Sequence, residues 1–480
     1  MNEREATLTD KFDVTGHWWL PSSPDQKACG RLAFDPHGDA TVELDGRLEG
    51  KSKGLRGHKA WPIVLGETRN GVLCTLAIVE ERATSIGPRI QTSVVSAAFC
   101  LLGCHFDNLD AIQFMSCEAD YSNLTPWLGR RPFDEELPSE INSTRFSVAY
   151  KDLPNIRIPV KSQGFSLTFG SWFRTGGGTR FEIEMKHGES VVLRPRSKRS
   201  LRWFLERLYE LRHLLTLLMM EPSRLERIRV QFGKHLEPTT RKMRGDFATV
   251  LFRQTYDECE IQEMHEFRIP FHFSAINKQM PKILENWFGN YDLLQTVYGL
   301  FLLPMYNQHL NIEYRFLSYL QALEALHRLS VGGSYMTIEE YDKTRKAMDA
   351  SIPSGIENDH TQALKSKIKY GYEYSLRKRL KDLAGIIGRS GMYRITDGED
   401  PEKFLRRVVE TRNYLTHHDQ NSKSISMSGK DMVKANHSLR LFLMLLILQE
   451  ICIPVDLALE RLDESGLLRY PVLLDRDGLP

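Results

Sequence analysis

Towards the C-terminal end of the chain, the run Arg412-Asn413-Tyr414-Leu415-Thr416-His417 brings a guanidinium, an amide and an imidazole together with no carboxylate among them. Asn413 and His417 are four apart, so on a helix they share a face, and Arg412 is long enough to swing onto it. That set of groups suits a phosphodiester. Arginine can clamp phosphate oxygens in a bidentate fork and stabilise the charge that builds in a transition state. Histidine can exchange a proton near neutral pH. RNA supplies its own nucleophile in the 2′-hydroxyl, so neither a metal nor an enzyme nucleophile is required, and the product would be a 2′,3′-cyclic phosphate. One imidazole cannot easily be base and acid at once, whereas two copies related by a two-fold axis could divide the roles. The same spacing also arises by chance, as a solvent-facing arginine followed by a histidine that caps a helix end.

The helix that must carry these groups has a clear start. Asp400 is a good N-cap, Pro401 suits the first helical position and Glu402 sits at the positive end of the dipole. Phe404, Val408, Thr411 and Leu415 form its apolar stripe, and His417 falls in the last turn. The period is helical from about Pro281 onwards. Helices are expected over Ile283–Leu303, over Glu313–Leu329 with Phe316, Leu320, Leu323 and His327 on one stripe, within Thr361–Gly388 after Gly371, over Pro401–His417 and over Asp431–Ile451.

The first 195 residues instead alternate as short strands. Arg31–Phe34 and Ala40–Leu44 flank the turn Asp35-Pro-His-Gly-Asp. Ser166–Arg174, Arg180–Met185 and Ser190–Leu193 read as strands separated by turns at Gly176-Gly-Gly and His187-Gly188, with Phe181, Ile183 and Met185 on one face. Leu201–Met219 is a helix with a leucine stripe at 201, 205, 208, 211 and 215, and 224–275 reads as mixed strands, clearest at Ile228–Phe232 and Phe267–Phe273. The expected fold is α+β: a sandwich- or barrel-like β-rich domain over 1–195, a mixed connecting region over 196–280, an all-helical domain over 281–463 and a tail over 464–480.

With these elements in place, the chain resembles a known family. Arg-Asn-x-x-x-His, at the end of what reads as the penultimate helix of an all-α domain, is similar to the motif of the HEPN superfamily, many of whose members are metal-independent ribonucleases. Phe316-Leu-Ser-Tyr-Leu-Gln-Ala-Leu-Glu-Ala-Leu-His looks like the helix that carries a glutamate in Apea-like HEPN domains, here Glu324, and Ser375-Leu-Arg-Lys-Arg-Leu-Lys-Asp-Leu looks like the helix before the Arg-Asn helix. Gly16-His-Trp-Trp-Leu-Pro, Gly30-Arg-Leu-Ala-Phe and Val42-Glu-Leu-Asp-Gly46 resemble the opening of the ApeA N-terminal domain, so the likeness spans nearly the whole chain. It implies a bacterial, cytoplasmic anti-phage factor acting by abortive infection. It further implies a cofactor-free HEPN endoribonuclease that cuts host RNA, tRNA in particular. Such a protein would pair as a homodimer through its helical domain and meet a phage-derived trigger at its N-terminal domain.

On this resemblance Arg412 binds the scissile phosphate, His417 is general base or acid, and Asn413 orients the phosphate or the paired helix. Glu324 either holds Arg412 or an imidazole in place or is a solvated helix carboxylate. His418 stands where many relatives have glycine, which leaves open which imidazole enters the site. The alternative function is a non-catalytic HEPN module that serves as a dimerisation or nucleotide-binding platform.

Other features bound these readings. Lys365, Lys367, Lys369, Arg377, Lys378, Arg379 and Lys381 surround Tyr370, Tyr372 and Tyr374, an arrangement that can hold RNA by phosphate contacts and stacking or form a solvated helix face. Arg194–Arg202 is a second basic cluster, at the expected domain boundary. Lys+Arg of 64 against Asp+Glu of 62 leaves a net charge of +2, so any basic binding surface must be local. No apolar run is long enough for a membrane span and no secretory signal pattern opens the chain. The 7 cysteines fit reduced thiols better than a disulfide framework. Cys100-x3-Cys104-His105 with Cys117 has metal-capable residues without the paired Cys-x2-Cys form, and its apolar neighbours favour buried structural thiols. Gly176-Gly-Gly lacks the setting of a phosphate-binding loop, and no GxSxG, HExxH or dinucleotide fingerprint occurs.

Overall fold

Trp18 is the plug of a closed β-barrel, and the residues around it explain why the sequence opens as it does. In a computed structural model of the protein, which describes residues 3–48, 59–86, 91–136, 147–179, 182–236, 243–254, 261–417 and 423–469, six antiparallel strands form a ring. They are β1 (Phe12–Trp19), β2 (Ala28–Phe34), β3 (Ala40–Asp45), β4 (Ala60–Thr68), β5 (Leu73–Ile86) and β6 (Gln91–Leu102). The ring order is β5-β4-β1-β2-β3-β6, and β6 pairs back onto β5. The alternation of β1 points Phe12, Val14 and Trp18 inwards. Trp18 is fully buried, and its indole nitrogen donates to the Gly30 carbonyl. A Cβ at Gly66 would lie 2.3 Å from that indole, so glycine there makes room for the plug. The expected hairpin at Arg31–Leu44 is present, with Ala33 opposite Thr41.

β6 is shared. Its Thr92–Ala97 part closes the barrel against β3, while Cys100–Leu102 pairs with Met243–Leu251, a strand within the 224–275 stretch that reads as mixed strands. From there a second run of strands continues through Leu225–Leu236, Ser116–Tyr121, Glu182–Pro195, Phe165–Thr179 and Ile156–Val160. The helix Leu201–Met219 has the expected bounds, is capped by the Ser200 hydroxyl, and buries its whole leucine stripe. The Tyr121 hydroxyl donates to its Leu208 carbonyl.

Several expectations need correction here. Residues 196–280 are not a connector, because their strands belong to the same sheet as the first 195 and the chain divides instead at 288/289. His187-Gly188 is not a turn. The strand Glu182–Pro195 runs straight through it, and Gly188 faces Trp172, whose ring a Cβ would meet at 2.1 Å. Gly176 likewise lies within a strand, opposite Glu184. Phe267–Phe273 is not a strand: Glu266–Arg268 is a short 3-10 helix and Phe273–Ile276 a helical turn. Arg180 and Phe181 lie outside the described residues.

The second unit, from Gly289 onwards, is helical among the described residues. After Met280–Tyr306 come the helices Ile312–Ser330, Ile338–Ala350, Asn358–Lys369, Leu376–Ile395, Pro401–His417, Gly429–Glu450 and Val455–Glu464. Ile338–Ala350, Asn358–Lys369 and Val455–Glu464 are additions to the expected set. The motif helix is therefore followed by two described helices rather than one. The apolar run Leu441–Leu448 is wholly buried, and Asn436 donates to the Ile312 carbonyl to tie two of the helices together. No helix among the described residues is long and apolar enough to cross a membrane.

Candidate active site

The motif helix, Pro401–His417, is amphipathic, and its bounds follow from its sequence. The Asp400 carboxylate accepts from the Lys403 amide at its start, and Phe404, Leu405, Val408 and Thr411 are buried. Thr411 anchors the far half of the helix. Its hydroxyl donates to the Arg407 carbonyl and accepts from the Met427 amide. Arg407 bridges Glu399 and Asp431 at 3.3 and 2.6 Å. Leu415, expected on the core stripe, is only half-buried, as are Arg412, Asn413 and Tyr414, while His417 is exposed.

On that loosely covered end, Arg412 Nη1 and His417 Nε2 are 3.4 Å apart. Among the described residues no other hydrogen bond or ion pair to either side chain is present. The guanidinium therefore keeps most of its donors, and both groups are open to a ligand. Asn413 lies beside them on the same helix. His418 lies outside the described residues.

Glu324 does not reach this pair. It sits on the helix Ile312–Ser330 and makes a 3.2 Å ion pair with Arg328, which also bridges Glu373. The basic stretch divides as well. Lys365, Lys367, Lys369 and Arg377 are exposed. Lys378 is bound to Asp382 at 2.5 Å and Lys381 to Glu402 at 3.1 Å.

Arg379 is a correction: it is not on an RNA-facing surface. Its side chain is 0% exposed, and it donates to the carbonyls of Gly332, Gly333 and Tyr374. It also lies 3.2 Å from His327 Nδ1, and the other ring nitrogen of His327 is 3.2 Å from Asp382. Arg379 thus ties both ends of the excursion that carries Ile338–Ala350 and Asn358–Lys369 to the helix bundle. Burial would raise the Asp382 carboxyl, but hydrogen bonds from Lys378 and His327 outweigh it and hold the group below the usual carboxylate range. The sequence carries one signal of this network: His327 falls on an apolar stripe, where a polar residue must find a buried partner.

Among the described residues no three His, Cys, Asp or Glu side chains are placed to hold a metal ion. Cys100, Cys104 and Cys117 are buried, and burial pushes their thiols up, Cys104 to about 12. The His105 ring is engaged with the Gly66 carbonyl at 2.8 Å.

A β-rich domain followed by a helical domain that presents Arg-Asn-x-x-x-His at an open helix end defines a class, the HEPN proteins of nuclease type. Residues 317–457 match the Apea-like HEPN model, and residues 13–287 match the model of ApeA N-terminal domain 1. The second match covers more than half of the chain, which therefore belongs to the ApeA family of HEPN defence proteins. No curated protein and no solved structure matches the chain.

Proposed function

We propose that the protein is a metal-independent endoribonuclease of the bacterial cytoplasm that cuts host RNA, tRNA in particular, during abortive infection. The observation that carries this reading is the exposed Arg412–His417 pair, 3.4 Å apart. In the proposed reaction Arg412 binds the scissile phosphate and stabilises its developing charge. His417 takes the proton from the 2′-hydroxyl or gives one to the departing 5′-oxygen. Two chains would pair so that each contributes one imidazole, which accords with the half-buried Asn413, Tyr414 and Leu415 at the same helix end. Lys365, Lys367, Lys369 and Arg377 are left to hold the RNA backbone, and the N-terminal unit would respond to a phage-derived trigger.

The test is cleavage of total tRNA in EDTA by the wild type beside Arg412→Ala and His417→Ala. The expected result is cutting by the wild type alone, with cyclic phosphate ends. Cutting that survives both substitutions would overturn the assignment, as would a strictly monomeric active enzyme for the shared site. An inactive wild type is retested in extract of infected cells. If it stays inactive there, the non-catalytic reading takes over.

A further inference from the structure

The N-terminal unit contains a cavity of about 910 Å³ between the Tyr121–Arg130 segment, the strand bearing His187, the start of the strand Leu225–Leu236, and residues 261–266. Its walls are held in place. Asn123, in the left-handed backbone region at φ 60°, donates its amide to the Gln262 carbonyl and accepts from the Met264 amide, both at 2.9 Å. Arg131 ties down Glu266 at 2.6 Å. The cavity is therefore framed by specific contacts and not left open by loose packing.

Three polar groups on its lining have hydrogen-bonding capacity to spare. His187 is the most constrained. Its side chain is 4% exposed, and Nε2 lies 3.3 Å from Glu189, whose fully buried carboxylate is also forked by Arg130. A carboxylate so held accepts, so Nε2 carries a proton, and in that tautomer Nδ1 is an acceptor. That Nδ1 is buried and has no partner among the described residues. Arg224 Nε is also buried without a partner among them. The third group is Glu226, two residues along the chain, which also lines the cavity and whose side chain forms no hydrogen bond or ion pair among the described residues. Burial raises its carboxyl, and the Arg224 guanidinium only partly offsets that.

We infer that this cavity binds a guanine ribonucleotide, with the phosphate on Arg224, a ribose hydroxyl donating to His187 Nδ1, and the guanine N1–H and 2-amino group donating to Glu226. Each unspent group then meets its complement: an anion for the guanidinium, a hydroxyl donor for the imidazole, and two adjacent N–H donors for the carboxylate. The volume is within the range of nucleotide-sized ligand sites and far larger than a free amino acid requires. Guanine is favoured over adenine because adenine presents one amino donor beside a ring acceptor, which a carboxylate would repel. The site lies wholly within the N-terminal unit and does not depend on the ribonuclease reading.

Calorimetric titration of the full chain tests this, in an Arg412→Ala/His417→Ala background so that any nucleotide contact at the motif helix is removed. 5′-GMP is expected to bind saturably, with 5′-AMP and 5′-dGMP each at least ~10-fold weaker. Glu226→Gln should weaken GMP by a similar factor without altering the response to inorganic phosphate. Arg224→Lys should weaken GMP, and circular dichroism should show both variants folded. If Glu226→Gln fails to fold, the comparison of GMP with AMP and dGMP in the parent decides. No binding of GMP at millimolar concentration, equal binding of GMP and AMP, or unchanged GMP binding in a folded Glu226→Gln protein would overturn the assignment.

Discussion

The helical domain contains two arginine–histidine pairs that differ in almost everything except residue type. Arg379 and His327 are both 0% exposed, and they are surrounded by backbone carbonyls, Asp382 and each other. Arg412 and His417 stand at an open helix end and, among the described residues, are partnered only by each other. The comparison teaches that the chemistry a side chain can perform depends on the hydrogen-bonding capacity the fold leaves unspent. A guanidinium whose donors are consumed by backbone carbonyls is a structural clamp, whereas one with free donors can take a phosphate.

The largest effect should come from the open pair. Arg412→Ala and His417→Ala should each lower RNA cleavage by roughly 10²–10⁴-fold. Neither change should alter stability by more than about 0.5 kcal/mol, since both groups are at the surface. Single-turnover cleavage and urea unfolding of the same preparations check the two halves. A variant that lost activity by unfolding would put Arg412 on the structural side of the comparison.

The closed pair should show the converse. Arg379→Ala removes donors from three carbonyls and leaves His327 without its cation, so a loss of about 3–5 kcal/mol is expected. Arg379→Lys should recover only part of it, because an ammonium cannot reproduce the planar fork. Urea midpoints measure both. A loss below about 1 kcal/mol would show that the excursion between the helices holds itself together without the clamp.

How much of this contrast is legible in the sequence depends on phase within each helix. Arg412 stands four residues after the buried Val408, so phase alone sets it beside the core stripe, and its half-burial comes from the loosely covered helix end rather than from the sequence pattern. Arg379 stands four residues before Leu383 and eight before Ile387, so its burial is readable from phase, but the charge run around it points to a basic surface when composition is weighed above phase. Helix starts are legible where a cap marks them, as at Ser200 and Asp400. Glycines mislead in the strands. Gly188 reads as a turn because glycine commonly breaks a strand, whereas here it yields space to a cross-strand tryptophan that no local window reveals. Glu324 is legible in part: Arg328 stands four residues further along the same helix, an ion pair the sequence spacing shows, whereas the second acceptor of Arg328, Glu373, meets it only in the fold.

Buried imidazoles extend the comparison to pH. Burial, with the nearby Arg440, lowers His437 to about 4, and burial beside Arg212 does the same for His213 in the N-terminal unit. In the unfolded chain both should titrate near 6.5. Between those values the unfolded state binds more protons, so stability falls as pH drops from 6.5 towards 4 and is level above that window. The full expected loss is about 3 kcal/mol for each histidine. Denaturant midpoints taken across this range, with His437→Asn beside the wild type, should show a shallower pH dependence in a folded variant. An unchanged slope would mean that His437 is protonated in the native state.

The smallest effects separate the lysines. Lys378 and Lys381 already face carboxylates, so a phosphate would have to compete with Asp382 and Glu402 for them. Lys365, Lys367 and Lys369 are exposed on the helix Asn358–Lys369 and form no ion pair among the described residues. If that helix holds RNA, replacing all three by alanine should weaken binding and flatten its dependence on log salt by about 0.7–0.9 for each phosphate no longer neutralised. Lys378→Ala should change affinity less than about twofold, because Lys378 is already paired with Asp382 and offers a phosphate little unspent charge. Filter binding to tRNA from roughly 50 to 200 mM salt, in the His417→Ala background, measures both slopes. Equal slopes for the triple variant and the parent would leave the exposed lysines as a solvated face, and RNA binding would then rest on the open end of the motif helix alone.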